Sequence, residues 1–370
     1  MKLAFCLFKY FSFGGLQRDF LRIALECVKR GHKVDVFTMS WDGEKHSGIN
    51  INLVPKKGLQ NHSIINNFIN NIKLKIKNYD LVVGFNKIPG LDIYYAADVC
   101  YQDKMNSQRS FWHKFTNRYR SLLKLEKSVF ERTHSKILIL CKKQQNDFVK
   151  YYGTPVSNFY LLPPGISKDR VAPVNFMQVK NDYRKNFNIS NDEIILLMVG
   201  SGFKTKGLDR AILGIASLPD NIRMRAKLFI IGQDNPTKFQ KQANNLGIKN
   251  NIIFLGGRSD VAKFFLIADL LLHPAYSENT GTVLLEALAS GLPVLTTDIC
   301  GYAHYIKQAN AGTVLSSPFN QNNFNKTIVN MLLSKNYMQW KLNAINYSKN
   351  NDLYSLHIKA VDYIEKIYRE

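Results

Sequence analysis

The chain runs through one local pattern twice. Lys2–Phe8 is an apolar run of strand length, Phe13-Gly14-Gly15 is a turn, and Leu16, Phe20, Ile23 and Cys27 then recur at helical spacing up to Arg30-Gly31. Gly31 suits the left-handed residue that closes a helix, and Val34 and Val36 open the next strand. A strand, a glycine turn, a helix and a second strand make a crossover, and crossovers join parallel strands. The order restarts at Ile194–Val199, passes through a Gly200–Gly207 loop and enters a helix at Leu208. Further strands are predicted at 81–84 and 137–140 in the first half, and at 228–231, 252–255, 270–272 and 294–297 in the second. The expectation is an α/β protein with two Rossmann-like, doubly wound domains.

At 370 residues the chain is long enough for two cores. Leu162-Pro163-Pro164-Gly165 is a rigid, turn-forming stretch, so the domains are predicted at 1–165 and 166–351. The tail 352–370 has Leu353, Leu356, Ala360, Ile364 and Ile367 at helical spacing, which predicts a helix crossing back to the first domain. Cys6, Cys27, Cys100, Cys141 and Cys300 are odd in number and lack a C-x-x-C pair, which argues for buried thiols over a disulfide framework or a zinc site. No apolar run approaches the ~18 residues that cross a bilayer, and Lys9 cuts short the apolar N-terminal run, unlike a signal peptide. A cytoplasmic protein is expected.

The net charge of +22 calls for an anionic partner, and +14 of it falls in residues 1–165. Gly14-Gly15 opens the backbone to a phosphate or sugar at a helix start, although a tight turn explains it equally well. The Gly200–Gly207 loop carries Lys204 and Lys206 but lacks Walker A spacing; a lysine there can neutralise a diphosphate, and Arg170 can add bidentate bonds. Glu278 and Glu286, seven residues apart, bracket a loop that becomes a helix between two buried strands. That places one acid at the mouth of an open parallel sheet and the other on the helix behind it, where such folds hold ligands.

The run Leu272-His273-Pro274, Glu278-Asn279-Thr280-Gly281, Leu285-Glu286-Ala287 and Gly291-Leu292-Pro293-Val294 resembles the E-x7-E signature of retaining GT-B glycosyltransferases of glycosyltransferase family 4. Phe13-Gly14-Gly15-Leu16, Val83-Gly84-Phe85-Asn86-Lys87, Ala96-Ala97-Asp98-Val99-Cys100-Tyr101 and Gly301-Tyr302-Ala303-His304 are similar to the subgroup that glucosylates the lipopolysaccharide core of enteric bacteria. The resemblance implies a GT-B fold whose two domains face a cleft. It implies that glucose passes from UDP-glucose, with retention, to a heptose of the inner core. Glu286 would take the ribose hydroxyls, Glu278 those of the hexose, and the backbone of Asn279, Thr280 and Gly281 the distal phosphate. Lys206 and Arg170 would stabilise the leaving diphosphate, so neither cofactor nor metal is expected. Gly14 and Gly15 would line the cleft near the phosphates, with Asp19 and Asp98 as acidic candidates near the acceptor or the reacting carbon. Lys204-Thr205 and Asn279-Thr280 differ from the commonest family residues, which leaves the hexose open; another acceptor within the family, or a UDP-sugar epimerase or phosphorylase sharing the same fold and donor-site logic, is the alternative.

Residues 103–132 hold eight basic residues against Asp103, Glu126 and Glu131, with Phe111, Phe115, Tyr119, Leu122, Val129 and Phe130 beside them. The pattern predicts a basic amphipathic helix. Read from the residues alone, its cations are either a solvated face or a contact for anionic lipid. The resemblance favours lipid, with Arg109, Lys114, Arg118, Arg120, Lys124 and Lys127 meeting the inner face of the inner membrane, where a lipid-anchored acceptor resides. Nucleic acid, the other reading of the charge, is not expected, because no nucleic-acid module is recognisable.

Overall fold

The computed structural model describes residues 1–12, 14–108, 111–131 and 134–370. They divide into two compact units, Met1–Gly165 with Ser355–Glu370, and Ile166–Tyr354. The return to the first unit falls three residues beyond the predicted boundary. Leu353 is fully buried and its carbonyl accepts the Ile166 N–H at 2.9 Å, which ties it to the second unit.

The first unit is built on seven parallel strands: β1 (Lys2–Cys6), β2 (Lys33–Thr38), β3 (Ile49–Leu53), β4 (Leu81–Gly84), β5 (Ile93–Ala96), β6 (Lys136–Ile139) and β7 (Phe159–Leu161). They lie in the order β3-β2-β1-β4-β5-β6-β7. The second unit has β8 (Ile194–Val199), β9 (Ala226–Ile231), β10 (Ile252–Gly256), β11 (Leu270–His273), β12 (Val294–Thr297) and β13 (Gly312–Leu315), again all parallel, in the order β10-β9-β8-β11-β12-β13. Central strands such as β4, β11 and β12 are buried along their whole length, as unbroken apolar runs require in a sheet covered on both faces. The strands missed in the sequence are chiefly edges. Ile49-Asn50-Ile51-Asn52-Leu53 alternates apolar and polar residues, and β7 and β13 are short and half-exposed.

The C-terminal helix Leu356–Arg369 docks on the helix Gly15–Lys29. Leu356, Ala360, Val361 and Ile364 join the core formed by Phe20, Ile23, Ala24 and Cys27. Arg30 pairs with Glu26 at 3.0 Å, Asp362 at 2.9 Å and Glu365 at 3.1 Å, and His32 meets Glu365 at 2.8 Å. All five cysteines are buried, and none is in a disulfide among the described residues.

The basic segment departs from the single helix predicted for it. It consists of a helix Tyr101–Gln108, a 3-10 turn Phe111–Phe115 and a second helix Asn117–Phe130 capped by Thr116, whose hydroxyl accepts the Tyr119 N–H at 3.2 Å. Arg118, Arg120, Lys124 and Lys127 are exposed and Lys114 is half-buried, while Arg109 and Arg132 lie outside the described residues. Trp112 and Phe115 are 76% and 55% exposed. Glu126 is not one of the surface charges; it is fully buried.

In each unit the chain moves outward from the first strand and then returns to its other side, so the order reverses between β1 and β4 and between β8 and β11. Beyond the carboxyl ends of such strands the loops part and leave a ligand crevice. The Gly14-Gly15 turn follows β1, and the loops carrying Lys206 and Glu278 follow β8 and β11.

Candidate functional site

The two loops at the β8/β11 switch point are locked together by backbone. The Tyr276 N–H donates to the Thr205 carbonyl at 2.8 Å. Gly207 has φ of +80°, and a Cβ there would fall 2.0 Å from the Pro274 carbonyl oxygen, so only glycine permits this approach. Arg210, one turn into the helix Leu208–Ala216, is sandwiched between the rings of Tyr276 and Phe319, 3.5 and 3.8 Å from their centroids. Its guanidinium donates to the carbonyls of Pro274 and Ala275 at 3.0 and 3.1 Å. The loop that presents Glu278 is thereby held at its first two residues.

Lys206 forms a hydrogen-bonded ion pair with Glu278. The same carboxylate oxygen lies 3.2 Å from Nε2 of His273, the fully buried last residue of β11, and the other oxygen accepts the Asn279 N–H at 3.1 Å. Burial works against the Glu278 charge, but the His273 hydrogen bond and the Lys206 ammonium outweigh it and hold the carboxyl at about 2, from an ordinary 4.5. Burial likewise disfavours a charged His273, yet the neighbouring Cys300 sulfur and Glu278 carry it up to about 9. A carboxylate kept ionised at all ordinary pH is an acceptor only, suited to sugar hydroxyls.

Gly281, with φ of +79°, turns the chain into the helix Thr282–Ala289. The loop before it is braced by the next one: Gly301 and Tyr302 donate their N–H groups to the carbonyls of Asn279 and Thr280 at 3.1 and 2.8 Å. Glu286 lies on the buried side of this helix, and Arg170 reaches toward it with an Nε–Oε1 separation of 3.9 Å while binding Asp169 at 2.6 Å. Lys206 and Glu278 thus form one cluster, and Arg170 and Glu286 a second around the same helix. Lys204 does not join either; it is occupied by Asp209 at 2.6 Å beside the Tyr276 ring.

In the first unit, Gly14 caps the helix Gly15–Lys29 in extended conformation, and no described atom comes within 4 Å of a Cβ placed on Gly15. Neither glycine is therefore dictated by a left-handed backbone. Asp19 is mostly buried and accepts the Tyr95 hydroxyl at 2.8 Å; burial raises its pKa against the opposing pull of Arg18 and Tyr95. Asp98 is exposed, just beyond β5.

His273 and Arg210 had no role in the sequence reading. A histidine closing Leu270-Leu271-Leu272 immediately before Pro274 was the available signal, since an ionisable residue at the end of a wholly buried strand needs a partner. Arg210 had none, because its stacking partners lie 66 and 109 residues away in sequence.

Two doubly wound units of the same strand order, each with its loops gathered at a switch point, constitute the GT-B architecture. Residues 13–170 match the family model described as Glycosyltransferase Family 4, and residues 179–349 the model described as Glycosyl transferases group 1. The chain belongs to these GT-B glycosyltransferases. It is 46% identical over 368 residues to the lipopolysaccharide glucosyltransferase WaaG of Escherichia coli (strain K12), covering 98% of each chain. A crystal structure of WaaG superposes with a TM-score of 0.94 over 98% of this chain and 99% of that one, at 46% identity. Sucrose-phosphate synthase from Thermosynechococcus elongatus, 16% identical, shares the fold with a TM-score of 0.80 over 100% of this chain and 99% of its own.

Proposed function

We propose that this glycosyltransferase moves glucose from UDP-glucose, with retention, to a heptose of the lipopolysaccharide inner core, working peripherally at the cytoplasmic face of the inner membrane. The observation that carries the reading is Glu278, held ionised between Lys206 and His273 at the switch point of the second sheet. The 46% identity to a lipopolysaccharide glucosyltransferase over nearly the whole chain supports the donor sugar and the acceptor class.

In this reading Glu278 accepts hexose hydroxyls, Glu286 accepts ribose hydroxyls, and the Asn279-Thr280-Gly281 turn offers N–H groups to the distal phosphate. As the bond from the anomeric carbon to the diphosphate oxygen breaks, charge builds on the phosphate, and Lys206 and Arg170 meet it. The acceptor hydroxyl attacks from the same face, its oxygen bonds to the anomeric carbon, and its proton passes to the departing phosphate. No cofactor enters, and cations of the chain serve where other transferases use a metal. The first unit takes the acceptor, with Asp19 and Asp98 as its acidic groups. The exposed cations of 114–127, with Trp112 and Phe115, rest on anionic lipid. No helix among the described residues is long and apolar enough to cross a membrane.

The test is incubation with a panel of nucleotide sugars and truncated core acceptors. UDP-glucose and a heptose-terminated acceptor should give product with the α configuration. Transfer from another UDP-hexose, or consumption of UDP-sugar with no acceptor as an epimerase would show, replaces this reading.

A further inference from the structure

A cavity of about 240 Å³ opens at the carboxyl ends of β1, β4 and β5 in the first unit, and its lining includes Phe8, Asn86, Lys87, Asp98, Tyr101 and Leu122. Its rim is fixed across the switch point, where the Phe8 N–H donates to Asn86 Oδ1 at 2.7 Å. The wall mixes apolar surface with an exposed carboxylate and an ammonium, the combination that binds a polyol: C–H faces on the rings and methyls, hydroxyls on the charges.

Behind that wall stands Glu126, fully buried on the helix Asn117–Phe130. It pairs with the Lys87 ammonium and accepts the Tyr101 and Gln102 N–H groups at 2.8 and 3.0 Å and the Tyr152 hydroxyl at 2.5 Å. Cys100 Sγ lies 3.6 Å from it. One carboxylate thus anchors the loop after β4, the start of the helix Tyr101–Gln108 and the end of the helix Lys142–Tyr152. The Lys87 ammonium has three N–H groups; Glu126 takes one and the Val99 carbonyl, at 3.5 Å, a second. The ammonium also lies 6.0 and 5.7 Å from the ring centroids of Phe130 and Phe148, and Lys87 lines the cavity.

We propose that Lys87 contacts the sugar of the acceptor in this cavity and that Glu126 is the positioning residue that holds its ammonium there. The inference rests on the reading of the first unit as the acceptor-binding half. A carboxylate retained only for stability would be a poor choice, because a buried ion pair is commonly replaced by apolar residues at no loss.

Kinetics with a soluble, deacylated, heptose-terminated core acceptor separate position from stability. Lys87→Gln, Glu126→Gln and the double variant are compared with wild type for acceptor KM, for UDP affinity and for melting temperature. Each single variant should raise acceptor KM by about 10-fold or more, the scale of a charge-assisted hydrogen bond, with UDP affinity within about twofold because the nucleotide site lies in the other unit. The double variant, in which two amides replace two buried charges, should recover melting temperature while acceptor KM stays as high as in Lys87→Gln alone. Recovery of acceptor KM together with melting temperature overturns the proposal, as does an unchanged acceptor KM in all three. Absence of transfer by wild type would instead remove the proposed function.

Discussion

His273 is held in its charged form by its neighbours, and Glu278→Gln tests that coupling. His273 is carried from an ordinary 6.5 to about 9, a preference for the charged ring on the order of 3 kcal/mol. A raised pKa contributes stability that is complete below pH 6.5 and is lost as pH climbs through 9. Glu278, lowered from 4.5 to about 2, contributes in the opposite sense: complete above pH 4.5, lost as pH falls through 2. The two shifts share one contact and are not added. Replacing the carboxylate by an amide leaves Cys300 as the remaining neighbour that raises His273, so its pKa should fall from about 9 toward 6.5. The assay is the imidazole proton resonance, assigned by its loss in His273→Asn, together with urea unfolding from pH 6 to 9.5. Wild type should lose roughly 2–3 kcal/mol across that range, and Glu278→Gln should lose less and be weaker at pH 7. A wild-type resonance titrating near 6.5, or an alkaline slope undiminished in Glu278→Gln, would refute the coupled cluster.

Gly207→Ala adds a Cβ 2.0 Å from a carbonyl oxygen at a φ of +80°, which should part the two loops and lower the melting temperature of the second unit, with UDP affinity falling in parallel. Arg30→Ala leaves Asp362 and Glu365 without their shared partner; a loss of roughly 1–2 kcal/mol and faster amide exchange confined to Leu356–Arg369 and the facing helix are expected. Neutralising Lys114, Arg118 and Arg120 together should weaken cosedimentation with anionic vesicles by about 100-fold, at ~1 kcal/mol per cation, while transfer to a soluble acceptor is unaltered. Equal binding of the variant would move the membrane contact elsewhere.

The doubly wound order could be read because its signal is local: an unbroken apolar run, a glycine turn and a helix report a parallel strand wherever they occur. Edge strands escape that test, since β3 and β13 bury only part of their residues and their sequences are correspondingly mixed. Lys206 and Glu278 were visible as residue types at loop positions, but not as partners, because 72 residues separate them and only the adjacency of β8 and β11 brings them together. The basic segment misled in one respect. Helical spacing placed Glu126 among the charges of a solvated face, whereas five neighbours from three other segments surround it. A single carboxylate in a run of cations looks the same in sequence whether it faces water or the interior.

Both units spend burial on a carboxylate beside a lysine near the carboxyl end of a central strand, and the cost differs between them in an instructive way. Glu278 sits in a loop, with its lysine partly open to solvent and a histidine that supplies a second charge. In the proposed reaction its pair would loosen as hydroxyls and phosphates arrive, each lost protein contact being replaced by a ligand contact of the same kind. Glu126 reaches the wall from a helix behind it, has no exposed surface, and is satisfied by groups that cannot leave without unwinding a helix start. Desolvating such a group costs several kcal/mol, and the Lys87 ammonium with the hydrogen bonds around it outweighs that burial and holds the carboxyl below its ordinary value. A carboxylate that ligand can displace belongs in a binding site; one that ligand cannot displace is suited to setting where its lysine stands.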